Sequence, residues 1–330
     1  MVLEINTTLQ PFRLTPEFVH RVWGFHDLRP WYDHSDANDP IGPIGEAWLT
    51  GDNCTAACGA LQGHTLAEIC AMHPSIILGE RARGNDSPLL IKMLFAREKL
   101  SVQVHPDDAM AQKYGQPRGK TECWYALAAK PEAKVACGLR PGATKEKIEA
   151  GIHDGTLEEW LNILPIAAGD MVYVDAGTVH AIWPGSILLE TQQNCDITYR
   201  MFDYGRPREL HVEKSLEATH LTTRAGKVAP REESNRTVLL DERYFRIERL
   251  KIDGSIDREQ LNAMDTEPTL SYLFVASGSG RLTGDGFADV ALPERSMTLV
   301  PAKAPEFVVH AETPLELIRI SARWPDSSAR

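Results

Sequence analysis

The sequence has little that would tie it to a membrane, a secretory route or a nucleic acid. No run approaches the ~18 apolar residues of a membrane-spanning helix. The best candidate, Leu89–Ala96, is short and carries Lys92. The opening residues, MVLEINTTLQPF, lack a basic n-region and an apolar core, so no signal peptide is expected there. Cysteine is sparse: Cys54, Cys58, Cys70, Cys123, Cys137 and Cys195 are scattered, as in a reduced, cytoplasmic protein. Cys54-x3-Cys58 has the spacing of half a metal site, but no second pair follows, and two ordinary thiols are the simpler reading. Basic residues are outnumbered, 35 against 46 acidic, for a net charge of −11. That balance argues against nucleic acid or an anionic membrane as partner, and an anionic small substrate would need a local basic pocket.

What is present suits a soluble globular chain. The 330 residues allow one large domain or two of ordinary size, and 43% hydrophobic with 25% charged residues is usual composition. The most informative stretch is Leu100–His105, LSVQVH. Apolar and polar residues alternate with period two, the mark of a half-buried strand. Gln103 and His105 then share one face, two potential metal ligands side by side.

Around that strand the pattern is of short strands and turns. Ile44–Thr50 is a candidate strand, with Glu46 expected at the surface unless the fold brings it to a site. Thr65–Met72 predicts a short helix with a capping box from Thr65 and Glu68, stopped at His73-Pro74. Pro88–Ala96 reads as a buried strand. Within it Lys92 either snorkels at a sheet edge or is a cation held in a pocket. Asp107–Tyr114 predicts a helical turn capped by Asp107 or Asp108. Glu122–Ala128 and Glu132–Gly138 read as strands. Thr144–Asn162 reads as helical, split by Gly151 and Gly155. Residues 224–236, RAGKVAPREESNR, are charged without apolar periodicity and read as a linker. Beyond them, strands at regular spacing suggest a small β-sandwich or barrel.

Gly169-x5-Asp175-x-Gly177-x2-His180 resembles the second motif of the cupin superfamily, with Asp175 in place of its Pro. Arg295, Pro301, Lys303 and Glu306 form a faded copy of the same spacing. A closer resemblance accounts for the departures. PLLIKMLFA (88–96), LSVQVHPDD (100–108), GKTECWY (119–125), AGTVHAI (176–182) and ETQQNCDITYR (190–200), followed by Asp203-Tyr204-Gly205-Arg206, resemble the type I phosphomannose isomerases in content and order. Gly45-Glu46-Ala47-Trp48 extends the match towards the N-terminus.

The resemblance implies a mainly β fold of two cupin-type jelly-roll barrels. Its catalytic, metal-binding domain would span 1–225, with a small helical segment at about 144–162, as in the short bacterial form. A degenerate cupin domain without metal would span 237–330. It further implies one Zn²⁺ per chain held by Gln103, His105, Glu122 and His180, with Arg200 catalytic. The implied reaction interconverts D-mannose 6-phosphate and D-fructose 6-phosphate. The partner is then a sugar phosphate, and the chain is expected to be a monomer or weak homodimer.

The residue types suit this chemistry. Two imidazoles, a carboxylate and an amide leave a bound divalent zinc electrophilic. Aldose–ketose isomerisation moves a proton between C1 and C2 through an enediol, which needs a base, an electrophile and cations for the phosphate. Glu190 is the preferred base, with Lys120 the alternative for proton transfer or phosphate binding. Lys92, Arg118 and Arg206 are further candidate phosphate cations. Two other readings fit part of the pattern. His105, Glu122 and His180 also match the two-His-one-carboxylate set of non-haem iron oxygenases, and the damaged C-terminal motif suits a non-catalytic sugar-binding cupin.

Overall fold

The computed structural model describes residues 9–33, 41–82 and 84–324; the opening octet, where no signal peptide is expected, lies outside the described residues. The described chain is mainly β, as expected, and divides into two compact units. The first unit comprises residues 18–47 and 89–228. The second comprises the described parts of 1–17, 48–88 and 229–330. The chain therefore crosses between units more often than a single cut between 225 and 237 allows. The reason is strand pairing: Phe12–Thr15 bonds to Met297–Val300 on one side and Thr55–Ala56 on the other.

The first unit holds a seven-stranded and a five-stranded sheet. The larger runs Gly226–Val228, Met171–Val174, Glu122–Ala129, Ser186–Gln193, Leu89–Phe95, Ile44–Trp48, Glu17–Phe25. The smaller runs Tyr199–Phe202, Val102–Val104, His180–Ile182, Lys134–Leu139, Leu161–Pro165. Trp23, Leu94, Trp124, Val135, Val174, Ile182 and Leu188 fill one core of this unit. Val102, Val104, Ala181, Tyr199 and Met201 cluster instead with Ile148, Ile152, Leu157 and Ala218 of the helical segments. The alternation along Val102–Val104 thus sends valines to the helices and leaves Gln103 on the opposite face.

The second unit repeats the strand order. Its large sheet runs Thr55–Ala56, Phe12–Thr15, Met297–Val300, Ser271–Ser277, Leu315–Ala322, Phe245–Ile252, Thr237–Asp241, Arg231–Glu232. From Met297–Val300 onward it matches, strand for strand, the first unit from Met171–Val174 onward. Its small sheet, Ser255–Asp257, Val308–Ala311, Gly280–Thr283, Val290–Leu292, matches the small sheet of the first unit without its outermost strand. The turn before the motif strand repeats too: Gly169 has φ +91° and Arg295, its counterpart in the faded motif, φ +64°. A non-glycine residue in that region is uncommon.

Register locates the correspondence residue by residue. Glu190 pairs with Lys92 and Trp124; Arg319 pairs with Glu248 and Leu273. Glu122 lies opposite Val174 and Gln192; Ser271 lies opposite Val300 and Ser321. In the second unit the interior is occupied by a buried ionic network. Glu248 accepts from Arg236 at 2.9 Å and from Arg319 at 2.7 Å, and Arg319 also bonds Ser321, Asn262 and Asp265.

Several local expectations change. The charged stretch 224–236 is not a free linker, because Gly226–Val228 and Arg231–Glu232 form edge strands, where charged side chains are tolerated. The helix Lys145–Asp154 runs through Gly151, whose missing side chain admits Leu157, and ends at the left-handed Gly155. Asn162 lies in a strand. Pro74 stops one helix and starts another at its first position.

Breaking the Glu248 network should be costly, since it strands two buried guanidiniums. We expect Glu248→Leu to lose about 3–5 kcal/mol in denaturant unfolding. Lys227→Ala, which removes the solvated pair with Asp170, should stay within about 1 kcal/mol.

Candidate metal centre

Three adjacent strands of the small sheet bring Arg200, Gln103 and His180 into one row, since Gln103 pairs with both of the others. His105 stands just past the end of its strand, where Pro106 supplies no ladder donor. Glu122 opens a strand of the large sheet. Two close approaches fix the loops. Gly177, at φ +86°, has no room for a side chain against the His220 ring, and its N–H donates to the His105 carbonyl at 2.8 Å. Gly119 passes against the backbone of Pro106–Asp108, and Asp108 Oδ1 accepts from the Gly119 N–H at 2.8 Å and from Gln193 Nε2 at 2.9 Å. Lys120 and Glu122 are held in place by those contacts.

The side chains converge. The ligating atoms of His105, Glu122 and His180 lie within 4.8 Å of one another, all buried. Glu122 Oε2 is 3.4 Å from His105 Nε2, and Oε1 is 3.4 Å from His180 Nε2. Each imidazole Nδ1 lies 2.8 Å from a backbone carbonyl, Ile197 for His105 and Thr178 for His180. A carbonyl accepts only, so each Nδ1 carries the proton and each Nε2 turns a lone pair inward, the arrangement that orients metal-binding histidines. The Gln103 amide is 3.2 Å from His180 Nε2 and 3.3 Å from the Ser101 hydroxyl. Lys120 Nζ is 3.1 Å from His105 Nε2 and 3.3 Å from Glu122 Oε2.

The electrostatics favour ligation. Burial and Lys120 push His105 down to about 3, against the pull of Glu122, so the ring is neutral at pH 7. Burial also lowers His180. Burial alone would raise Glu122, but the Lys120 ammonium beside it outweighs that and holds the carboxyl well below its usual range. Yet Glu122 Oε2 has no hydrogen-bond partner. A buried anionic oxygen facing two imidazole lone pairs is a donor set that fits a divalent cation.

A line of alternating charge extends from here across the large sheet. Glu190 Oε1 is 3.4 Å from Lys92 Nζ, which is 3.7 Å from Glu46, which Arg21 binds at 3.0 Å. Burial raises Glu190 to about 7, although Lys92 opposes the shift. Lys92 is desolvated too, but Glu190 and Glu46 more than compensate and raise it. All four line a cavity of about 320 Å³ together with Gln103, Lys120, Glu122, Asp196, Arg200 and Arg208. That volume suits a small ligand.

Gln103, Lys92, Lys120, Glu122, Glu190 and Arg200 therefore line one cavity, and His105 and His180 stand in the donor cluster beside it. Lys92 is a pocket cation on an interior strand, not a snorkelling edge residue. Glu46, expected at the surface, is buried because the fold brings it against Lys92 and Arg21. Arg118 and Arg206 do not line the cavity; Arg206 is engaged by Glu98, Asp203 and the Lys99 carbonyl. Arg21 and Arg208 were not legible in the sequence, because nothing local distinguishes them from surface arginines. Cys54 and Cys58 form no metal cluster among the described residues, and the Cys54 thiol donates to the Trp48 carbonyl.

The chain is similar to known proteins over most of its length. The family model for the phosphomannose isomerase type I catalytic domain matches residues 11–141. The mannose-6-phosphate isomerase of Streptococcus mutans is 32% identical over 307 residues, 88% of this chain and 92% of its own. Mannose-6-phosphate isomerase ManA of Bacillus subtilis is 33% identical over 290 residues, 83% of this chain and 88% of its own. The crystal structure of a mannose 6-phosphate isomerase from Bacillus subtilis superposes with a TM-score of 0.82 at 30% identity, covering 94% of this chain and 99% of that one.

Metal analysis of two variants separates the roles. His180→Ala should lose bound metal, whereas Arg200→Ala should keep it and keep the fold. Chelation should lower the Tm of the parent and of Arg200→Ala, because a ligand bound only by the folded state stabilises it, and should leave His180→Ala nearly unmoved.

Proposed function

The chain belongs to the type I phosphomannose isomerase family, and from that premise we propose that it interconverts D-mannose 6-phosphate and D-fructose 6-phosphate at a zinc site. The observation that carries this reading is the buried Glu122 carboxylate, whose Oε2 accepts no hydrogen bond and which is faced by two neutral imidazoles, at a small cavity rich in cations. Gln103, His105, Glu122 and His180 would hold the metal. When bound, zinc supplies a Lewis acid that polarises the sugar carbonyl and steadies the negative charge developing on its oxygen.

The remaining work falls to side chains around the cavity. Glu190 is the base that carries the proton between C1 and C2. Desolvation raises its affinity for a proton to the neutral range, the range in which a carboxylate both accepts and returns one efficiently. Lys92, 3.4 Å away, steadies the ionised form and donates to substrate oxygens. Lys120 is placed beside the ligands to move the proton between the sugar oxygens. Arg200 keeps its charge at every working pH and stabilises the enediolate. It fits that role because no carboxylate among the described residues pairs with it; Nη1 donates to the Glu209 carbonyl at 2.9 Å and the buried Nε has no partner among them.

No helix among the described residues is long and apolar enough to cross a membrane, and the six cysteines are unpaired. We place the activity in the cytoplasm on that thiol chemistry.

A turnover assay and metal analysis on one sample test the assignment. Zinc near one per chain with interconversion of the two sugar phosphates is the expected result; full zinc occupancy without turnover would refute it. Iron with oxygen consumption would point to the oxygenase reading instead.

The pH profile tests the base. Protonated Glu190 cannot accept a proton, so kcat/KM should rise as pH passes through about 7 and fall about tenfold per unit below it. Glu190→Gln should retain metal and lose at least ~100-fold in kcat. If it stays active while Lys120→Met is dead, Lys120 is the base.

A further inference from the structure

The cations already given roles leave the phosphate end of the substrate without a dedicated partner. Lys92 is balanced by Glu46 and Glu190, Lys120 by Glu122, and Arg21 by Glu46. The loop that follows Arg200 offers another group. Arg208 lines the cavity, and Asp203, only 3% exposed, grips it with two parallel bonds: Nε donates to Oδ2 and Nη2 to Oδ1, both at 2.7 Å. Nη1 makes no hydrogen bond to the described residues. Arg208 is also close enough to Arg200 to lower its proton affinity, after burial the next largest influence. Asp203 is a single carboxylate facing Arg206 and Arg208, with Arg200 beyond, so this end of the cavity keeps a net positive charge that attracts an anion.

The loop is built for this arrangement. Tyr204 takes φ +55°, a strained value for a bulky residue. Its hydroxyl donates to Glu158 at 2.9 Å, and its ring meets Phe202 edge-on. Arg206 closes the other side of Asp203 at 3.2 Å. The strain is held by contacts that fix Asp203, and Asp203 fixes Arg208.

We propose that Arg208 recognises the phosphate of the substrate and that Asp203 is its positioning residue. This rests on the isomerase reading above. The phosphate then lies at the Arg208 end of the cavity, and C1 and C2 lie between Arg200 and the histidines. Arg208 selects for a phosphorylated over an unphosphorylated hexose.

Steady-state kinetics on the zinc-loaded protein test it, with inorganic phosphate as competing probe. For Arg208→Gln, KM for mannose 6-phosphate and the inhibition constant of inorganic phosphate should both rise at least tenfold, with a smaller change in kcat and unchanged zinc content. Arg208→Lys should fall between, since an ammonium cannot grip Asp203 and phosphate together. Asp203→Asn should raise KM about threefold or more, and Asp203→Glu should recover part of the loss. A loss confined to kcat, or an unchanged phosphate inhibition constant in Arg208→Gln, would overturn the proposal. Should Arg208→Gln fail to fold, Arg208→Lys carries the same test. An inactive zinc-loaded parent would instead refute the isomerase reading itself.

Discussion

An ionised carboxylate sealed from water is unstable unless positive charge and hydrogen bonds replace its hydration. Glu122 is such a group. Its Oε2 has Lys120 at 3.3 Å and the His105 ring at 3.4 Å, yet no hydrogen bond. The rest of the first unit is arranged around that deficit. The small sheet supplies Gln103 and His180, the Gly177 turn ties His105 to the loop that leads into His180, and the two carbonyls that receive the Nδ1 protons leave both Nε2 lone pairs inward. A divalent cation held there would resolve the deficit and tie together residues of two sheets. Metal binding and local rigidity are then one free energy.

The second electrostatic feature is the row Arg21–Glu46–Lys92–Glu190, one residue on each of four neighbouring strands. Alternating signs let four desolvated charges share compensation. Lys92 divides itself between two carboxylates, so neither is fully neutralised. Burial raises Glu190 to about 7, and a Lys92 shared with Glu46 opposes that rise only in part. Glu46, which no sequence argument placed at the site, thereby influences the proposed base from two strands away.

Much of this was legible in the sequence, for identifiable reasons. Period-two alternation marked LSVQVH because its valines pack on the helices while Gln103 faces the other way. Lys92 was conspicuous because lysine is rare within an apolar run. What escaped depends on contacts distant in sequence. Glu46 needs Arg21 and Lys92, and Arg208 needs a left-handed Tyr204 anchored by Glu158. The edge strands within 224–236 escaped because their pairing is made by backbone groups, which leave no hydrophobic signature. Crossing between units by the N-terminal strands was hidden for the same reason.

The repeated strand order explains why chemistry gathers in one unit. At the registers that hold Glu122, Glu190 and Lys92 in the first unit, the second holds Ser271, Arg319 and Glu248. The carboxylate becomes a hydroxyl, and the buried ion pair keeps its place with its signs exchanged. That exchange preserves the compensation that a buried pair requires, so the fold tolerates it. It does not preserve a metal site: Arg319 and Arg236 set two fixed positive charges around Glu248, where a divalent cation would be repelled. A guanidinium also fills space that a small carboxylate leaves open. The same scaffold therefore supports a polar cavity in one copy and a buried ionic core in the other, and the difference lies in the signs of the charges on two neighbouring interior strands and in the loss of the Glu122 carboxylate.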